Sequence, residues 1–241
     1  MKSISQTKRE ARECLRGNWT PGVLATAVYF VIVLLCTAPS YMYQIFHPEY
    51  TQELTYAAQT NDLSAMMNIY GDVTRMSSIG SLLSILVLNV IIVGLVNAFL
   101  KFYKEQDTAI TRNMFKLAFK DYGHKLLGMF LMNLFIVLWT LLLIIPGIIK
   151  SFSYAMTPYI LNEYPTVGVN DSIDISRKMM KGHKLDLFLL ELSFIGWGLL
   201  CILSLGIGFL WLYPYAQTSV SIFYEDVKAE YIEKYGDMSL R

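Results

Sequence analysis

The chain alternates between long apolar runs and short basic stretches. The runs cover residues 21–42, 79–102, 126–163 and 185–224. A helix that crosses a bilayer needs about 20 mostly apolar residues, so each of the first two predicts one span. The last two are each roughly twice that length. At about 1.5 Å per residue, one straight helix through either would measure about 60 Å, double the hydrocarbon thickness. Both must therefore turn back. Pro146-Gly147 interrupts the third run and Gly206-Ile207-Gly208 the fourth, and no stronger breakers of a helical pattern are available. The pattern predicts six spans, at 21–42, 79–102, 125–145, 148–163, 185–204 and 207–224, the last four forming two tight hairpins. Pro21 suits the start of the first span, because the opening turn has no internal partner for its missing N–H.

Composition sharpens this picture. Of 241 residues, 54% are hydrophobic and only 16% charged, with a mean hydropathy of +0.42. Soluble domains carry about 25% charged residues, so much of the surface is expected to face lipid. A net charge of +1 gives no overall basic character toward nucleic acid. The charge is unevenly placed, however. Lys2, Lys8, Arg9, Arg12 and Arg16 precede the first span. Lys101, Lys104, Arg112, Lys116, Lys120 and Lys125 lie between the second and third, and Arg177, Lys178, Lys181 and Lys184 between the fourth and fifth. Lys228, Lys234 and Arg241 follow the sixth. Of the 20 Lys and Arg, Arg75 and Lys150 alone are left for the other side. The positive-inside rule then predicts that both termini are cytoplasmic. The first run is longer than the apolar core of a signal peptide, about 7–15 residues, and is expected to stay as an anchor.

The chain also repeats itself. The shift that lays Gly123-His124-Lys125-Leu126 on Gly182-His183-Lys184-Leu185 also lays Gly147-Ile148 on Gly206-Ile207 and Tyr154 on Tyr213. A weaker copy begins at Gly17-Asn18-Trp19. Each copy follows a basic amphipathic stretch: Ile4, Ala11 and Leu15 face one way in the first, with Lys8, Arg12 and Arg16 opposite. The expected unit is an interfacial helix, a glycine stop at Gly17, Gly123 or Gly182, and a two-span hairpin. The predicted fold is thus an all-α polytopic membrane protein in a single domain. Its six transmembrane helices form three parallel hairpin repeats, each preceded by a basic amphipathic interfacial helix. The parts are a first helix at 1–18, units at 19–102, 103–164 and 165–227, and a cytoplasmic tail at 228–241. An acidic insertion at 43–78, with Glu49, Glu53, Asp62 and Asp72, is expected on the outer face as one or two short helices.

Several blocks carry a family likeness: Gly17-Asn18-Trp19, Leu138-Trp139 through Pro146-Gly147-Ile148-Ile149, Tyr154, Pro158-Tyr159-Ile160-Leu161 and Met180-Lys181-Gly182-His183-Lys184. Leu192-Ser193-Phe194-Ile195-Gly196-Trp197, Gly206-Ile207-Gly208, Pro214-Tyr215 and Phe223-Tyr224 complete them. In these the chain resembles the bacterial integral membrane family catalogued as domain of unknown function 975. The resemblance implies a multi-pass protein of the bacterial inner membrane with no assigned activity and brings no catalytic residues.

Candidate chemistry is sparse. Glu191 lies about two turns inside the fifth span, where an ionisable group costs several kcal/mol unless it is paired, protonated or hydrated. It is expected to face protein or an internal cavity, as a proton or cation site or as a structural lock. Tyr213 and Gln217 fall on one face of the sixth span and Asn97 lies in the second. They could line a polar path or tie helices together. His124 and His183 follow glycines at equivalent interface positions, and Trp19 reads as an interfacial anchor. Two histidines without acidic or thiol partners in sequence do not make a metal site. No HExxH, G-x-S-x-G or Walker A pattern occurs, and His47, His124 and His183 are the only imidazoles. Cys14, Cys36 and Cys201 read as packing residues. No catalytic residue, cofactor or metal is expected. The expected partners are the lipid bilayer and either other membrane proteins or a second copy, with no nucleic acid. The reading is a non-enzymatic structural, regulatory or assembly factor of the membrane. The alternative is a transporter or channel for a small solute, ion or lipid, with Glu191 as its polar site.

Overall fold

The computed structural model describes residues 1–46, 49–236 and 238; His47 and most of the end of the expected tail, including Arg241, lie outside the described residues. Among the described residues every regular element is helical. In chain order they are α1 (Ile4–Leu15), α2 (Trp19–Phe46), α3 (Tyr50–Gln59), α4 (Leu63–Leu83), α5 (Asn89–Glu105), α6 (Ile110–Phe119) and α7 (Tyr122–Leu142). There follow α8 (Ile144–Tyr154), α9 (Thr157–Glu163), α10 (Val169–Met179), α11 (Lys184–Leu203) and α12 (Phe209–Tyr235), and a π-helical turn at Ser84–Leu88 joins α4 to α5. The chain groups into two compact units. One takes residues 1–29 and the chain from Asn89 onward, the other Phe30–Leu88. In the second unit, Asp62 caps α4 by accepting from the Ala65 N–H at 3.0 Å and the Ser64 hydroxyl at 2.7 Å.

Among the described residues four helices are long and apolar enough to cross a membrane: Trp19–Ala38, Gly80–Glu105, Tyr122–Leu142 and Lys184–Leu203. The expected fourth and sixth spans have a different form. The fourth is divided into α8 and α9, and the sixth merges into a helix that runs on to Tyr235. The division falls at Ala155-Met156, just before Pro158 in the first turn of α9, where proline cannot continue the preceding hydrogen-bond ladder. Ser176 of α10 takes up the freed groups: its hydroxyl accepts from the Met156 N–H at 3.2 Å and donates to the Ser153 carbonyl at 3.1 Å.

The two hairpin turns are built differently from each other, and the first differs from the expectation while the second falls at Gly206-Ile207-Gly208 as expected. Pro146-Gly147 is not the turn. The chain reverses at Leu143, which is extended, and Pro146 sits in the first turn of α8, where its missing N–H costs nothing. Gly147 instead brings α8 onto α7, since a Cβ there would lie 2.2 Å from Thr140 Oγ1. In the other hairpin Leu205 and Gly206 take positive φ (54° and 86°) and form the turn. The close-packing role passes to Gly208, whose Cβ would meet Cys201 Sγ at 2.7 Å. Gly147 therefore matches Gly208 in function rather than Gly206. The expected stop at Gly123 also moves. Gly17 and Gly182 take positive φ, but before α7 that backbone belongs to Asp121 (φ 52°), while Gly123 is helical. Aspartate tolerates this region better than most side chains.

The short helices α1, α6 and α10 pack within the first unit. Ser3 and Gln6 form a capping box at the start of α1, which satisfies two donors that the first turn leaves open. Thr7, Ala11 and Leu15, four residues apart, turn inward. The backbone N–H of Lys2 donates to Asp226 at 2.9 Å, tying the start of α1 to α12. Between α5 and α6, Asp107 accepts from Asn113 Nδ2 (2.9 Å), the Ala109 N–H (3.0 Å) and Lys101 Nζ (2.9 Å). Led by the Asn113 bond, these contacts hold the Asp107 carboxyl well below its usual range. A depressed pKa adds stability above the unfolded value of about 3.9 and loses it as the pH falls toward the folded value. Asp107→Ala should therefore lower the thermal midpoint at neutral pH. Scans repeated at falling pH should show the gap to the wild type narrowing below about pH 4.

Candidate functional site

The inward polar residues of the spans converge on α9. Asn97 of α5 donates through Nδ2 to the Pro158 carbonyl at 2.9 Å, as well as to Val93 in its own helix. Gln217 of α12 donates to the Tyr159 hydroxyl at 2.9 Å, and the Tyr159 ring stacks on Tyr224 with centroids 4.5 Å apart. Pro158 and Tyr159 are neighbours, so both polar residues grip the same turn. Tyr213 stacks on Tyr29 at 5.9 Å. Elsewhere Asn133 of α7 donates to Asn89 of α5 at 3.0 Å. The packing around α9 is dense: Val96, Leu100, Ile160 and Leu187 are buried in one apolar cluster. In α9 the polar groups therefore act as ties between helices, each worth roughly 1 kcal/mol in a membrane protein.

Glu191 does not join them. It lies on the exposed side of α11 rather than in the interior, among exposed apolar neighbours that include Phe188, Leu192 and Ile195. The inward face of α11 is made by Leu187, Leu190 and Phe194 instead, and Glu191 falls beside that face, outside its arc on the helical wheel.

Below α9, at the basic end of the helices, stands a cluster the sequence does not announce. Glu163 at the end of α9 accepts from the Tyr224 hydroxyl at 2.7 Å and pairs with Lys104 at 3.1 Å and with Lys228. Lys104 also reaches Glu225 at 3.4 Å. One carboxylate thus joins α5, α9 and α12. A second knot ties α1 to α5: Glu10 accepts from the Tyr103 hydroxyl at 2.7 Å and pairs with Lys2 at 2.8 Å. His183 stands between Asp186 (3.4 Å) and Glu230 (3.1 Å), whereas the buried Nε2 of His124 has no hydrogen-bond partner among the described residues. The two histidines do not meet. Among the described residues no group of three or more His, Cys, Asp or Glu is placed to hold a metal ion.

Cavities open on this unit among the described residues, four of them with named linings. One of about 550 Å3 lies between α1, α11 and α12, and another of about 520 Å3 beside Lys2, Gly182 and His183. A third, of about 430 Å3, brings Lys150 together with Asp174 and Arg177. Lys150 Nζ sits 4.4 Å from the Trp139 ring centroid. The charge pattern put Lys150 on the far side from Arg177, yet the two share one cavity. The fourth, beside Lys178 and Tyr231, is small. None of the four is lined by Glu191.

Residues 140–231 match the model of a protein family described as protein of unknown function (DUF975). This is the family the sequence resembles, and the match covers α8 to α11 and most of α12 as well as the end of α7. Gly17-Asn18-Trp19 and Leu138-Trp139 lie outside it. No curated protein and no solved structure matches the chain.

Proposed function

We propose that the protein is a multi-pass protein of the bacterial inner membrane, with its termini and basic helices in the cytoplasm, that serves as a non-enzymatic structural, regulatory or assembly factor. Its three hairpins would enter the membrane from the same side. The observation that carries this reading is the use made of the inward polar groups. Asn97 and Gln217 spend their donors on α9, and the space around them is filled by side chains. A conduit needs polar groups held open to water, whereas a scaffold needs them closed on one another. The hairpin tips support membrane insertion: Leu141 is 78% exposed, Leu203 80% and Leu205 93%, so the apolar ends of both hairpins are left without protein cover. Glu191, turned outward between apolar residues, suits a contact with a donor on another membrane protein, because a lone carboxylate facing lipid is costly.

Reconstitution tests the choice. Vesicles carrying the protein and a trapped pH-sensitive dye should relax an imposed proton or potassium gradient no faster than protein-free vesicles, and Glu191→Gln should change nothing. A gradient that collapses with the wild type and survives with Glu191→Gln would establish transport and overturn the scaffold reading.

A further inference from the structure

The cleft between α1, α11 and α12 has two chemically distinct ends. Its volume of about 550 Å3 is within the range of about 300–1,000 Å3 usual for small-molecule sites. The walls are apolar, formed by Trp19, Trp197, Leu200, Trp211 and Leu212, and they continue toward Ser204 and Gly208 at the hairpin tip. At the other end α1 presents Lys8 and Arg12, one turn apart on the same face. Lys8 Nζ donates to the Ser193 carbonyl at 3.1 Å and hydroxyl at 3.0 Å and lies 4.4 Å from the centroid of the Phe194 ring. Those contacts fix its position without neutralising it. The acids of α1 are engaged elsewhere, Glu10 with Lys2 and Tyr103 and Glu13 with Arg9. Among the described residues neither Lys8 nor Arg12 has a carboxylate within ion-pair distance.

We propose that this cleft binds an anionic lipid, with its phosphate on Lys8 and Arg12 and one acyl chain laid along α11 and α12 toward Gly208. Arginine offers a planar fork that matches phosphate oxygens, and lysine adds a mobile point charge. Free phosphate would satisfy the cations and leave the apolar wall empty. A neutral lipid would fill the wall and leave the cations unanswered. An anionic amphiphile meets both needs. The inference rests on the membrane location proposed above but not on its topology, because binding is read in micelles.

Three of the four tryptophans line the cleft, which supplies the probe. In the Trp139→Phe background the full chain, in an uncharged maltoside detergent, is titrated with phosphatidylglycerol bearing brominated acyl chains. Brominated phosphatidylcholine is the neutral comparison. Tryptophan quenching should reach its midpoint at about tenfold lower concentration with the anionic lipid, equivalent to about 1.4 kcal/mol. Lys8→Gln with Arg12→Gln should erase that preference. Leu200→Glu, at an exposed wall position, should weaken quenching by the anionic lipid most, with an unchanged thermal midpoint. Equal midpoints for the two lipids in the parent protein would overturn the proposal. So would a preference that survives loss of both cations, or reversal of the quenching by inorganic phosphate at the concentration of the lipid.

Discussion

Gly94→Ala should destabilise the protein by about 2 kcal/mol or more, although alanine is the better helix former. At Gly94, α5 and α6 come closest. A Cβ there would lie 2.1 Å from the Met114 carbonyl oxygen and 2.8 Å from both Cβ and N of Ala118. These are mainly backbone atoms, so the whole of α6 must move to make room. Val93, Leu95, Ala98, Ile110 and Met114 are all buried, and their packing would be lost with it. The gain in helix propensity, about 1 kcal/mol, is too small to compensate. Two comparisons isolate the cause. Gly128→Ala should cost less, because its nearest neighbour is the flexible end of the Leu161 side chain, at 2.5 Å. Gly196→Ala, with nothing within 4 Å, should be neutral or slightly stabilising. Unfolding scans of the three variants in one detergent provide the check, and equal losses would contradict the packing argument.

Glu163→Ala should cost about 3 kcal/mol, the scale for removing one partner of a buried ion pair. The side chains of Glu163 and Lys228 are only 17% and 12% exposed. Without Glu163, Glu225 at 3.8 Å is the remaining ion pair of Lys228, and the buried Tyr224 hydroxyl loses its acceptor. Glu163→Gln should lose less, because its amide oxygen can still accept from Tyr224. Replacing both partners by leucine should recover much of the stability, since an apolar pair avoids the cost of an unpaired charge. A Glu163→Leu, Lys228→Leu protein less stable than Glu163→Ala would show that the cluster adds net energy of its own. Denaturation in detergent, followed by circular dichroism, measures all three.

The sequence locates helices better than it orients them. Apolar runs and breakers place the helices of both hairpins, because a proline or glycine interrupts the backbone ladder wherever it falls. What each breaker does depends on the neighbouring helix. Pro146 reads as a turn yet starts a helix, and Gly147 and Gly208 prove to be contact points because Thr140 and Cys201 stand opposite. The shared face of Tyr213 and Gln217 is legible from their four-residue spacing. Its target, Tyr159, depends on a break at Ala155-Met156 that sets the position of α9. The facing of Glu191 is not legible for a plain reason. The helix α11 is apolar on nearly all sides, so no periodic pattern distinguishes inside from outside, and desolvation alone does not choose a face. Lys150 has no local signal either; its nearness to Arg177 comes from α10 folding back across α8. The Glu163 cluster draws on residues from three separate helices, none of which marks the others.

The proposal that the basic helices share one side of the membrane and the acidic insertion lies on the other is tested most directly by compartment-sensitive reporters. Fusions at Arg112, Lys178 and Lys234 should report the cytoplasm, and a fusion at Thr60 should report the far side. A reporter at Lys178 that reads the far side while Arg112 reads the cytoplasm would contradict the account, because the hairpin between them could not then return to the side it entered.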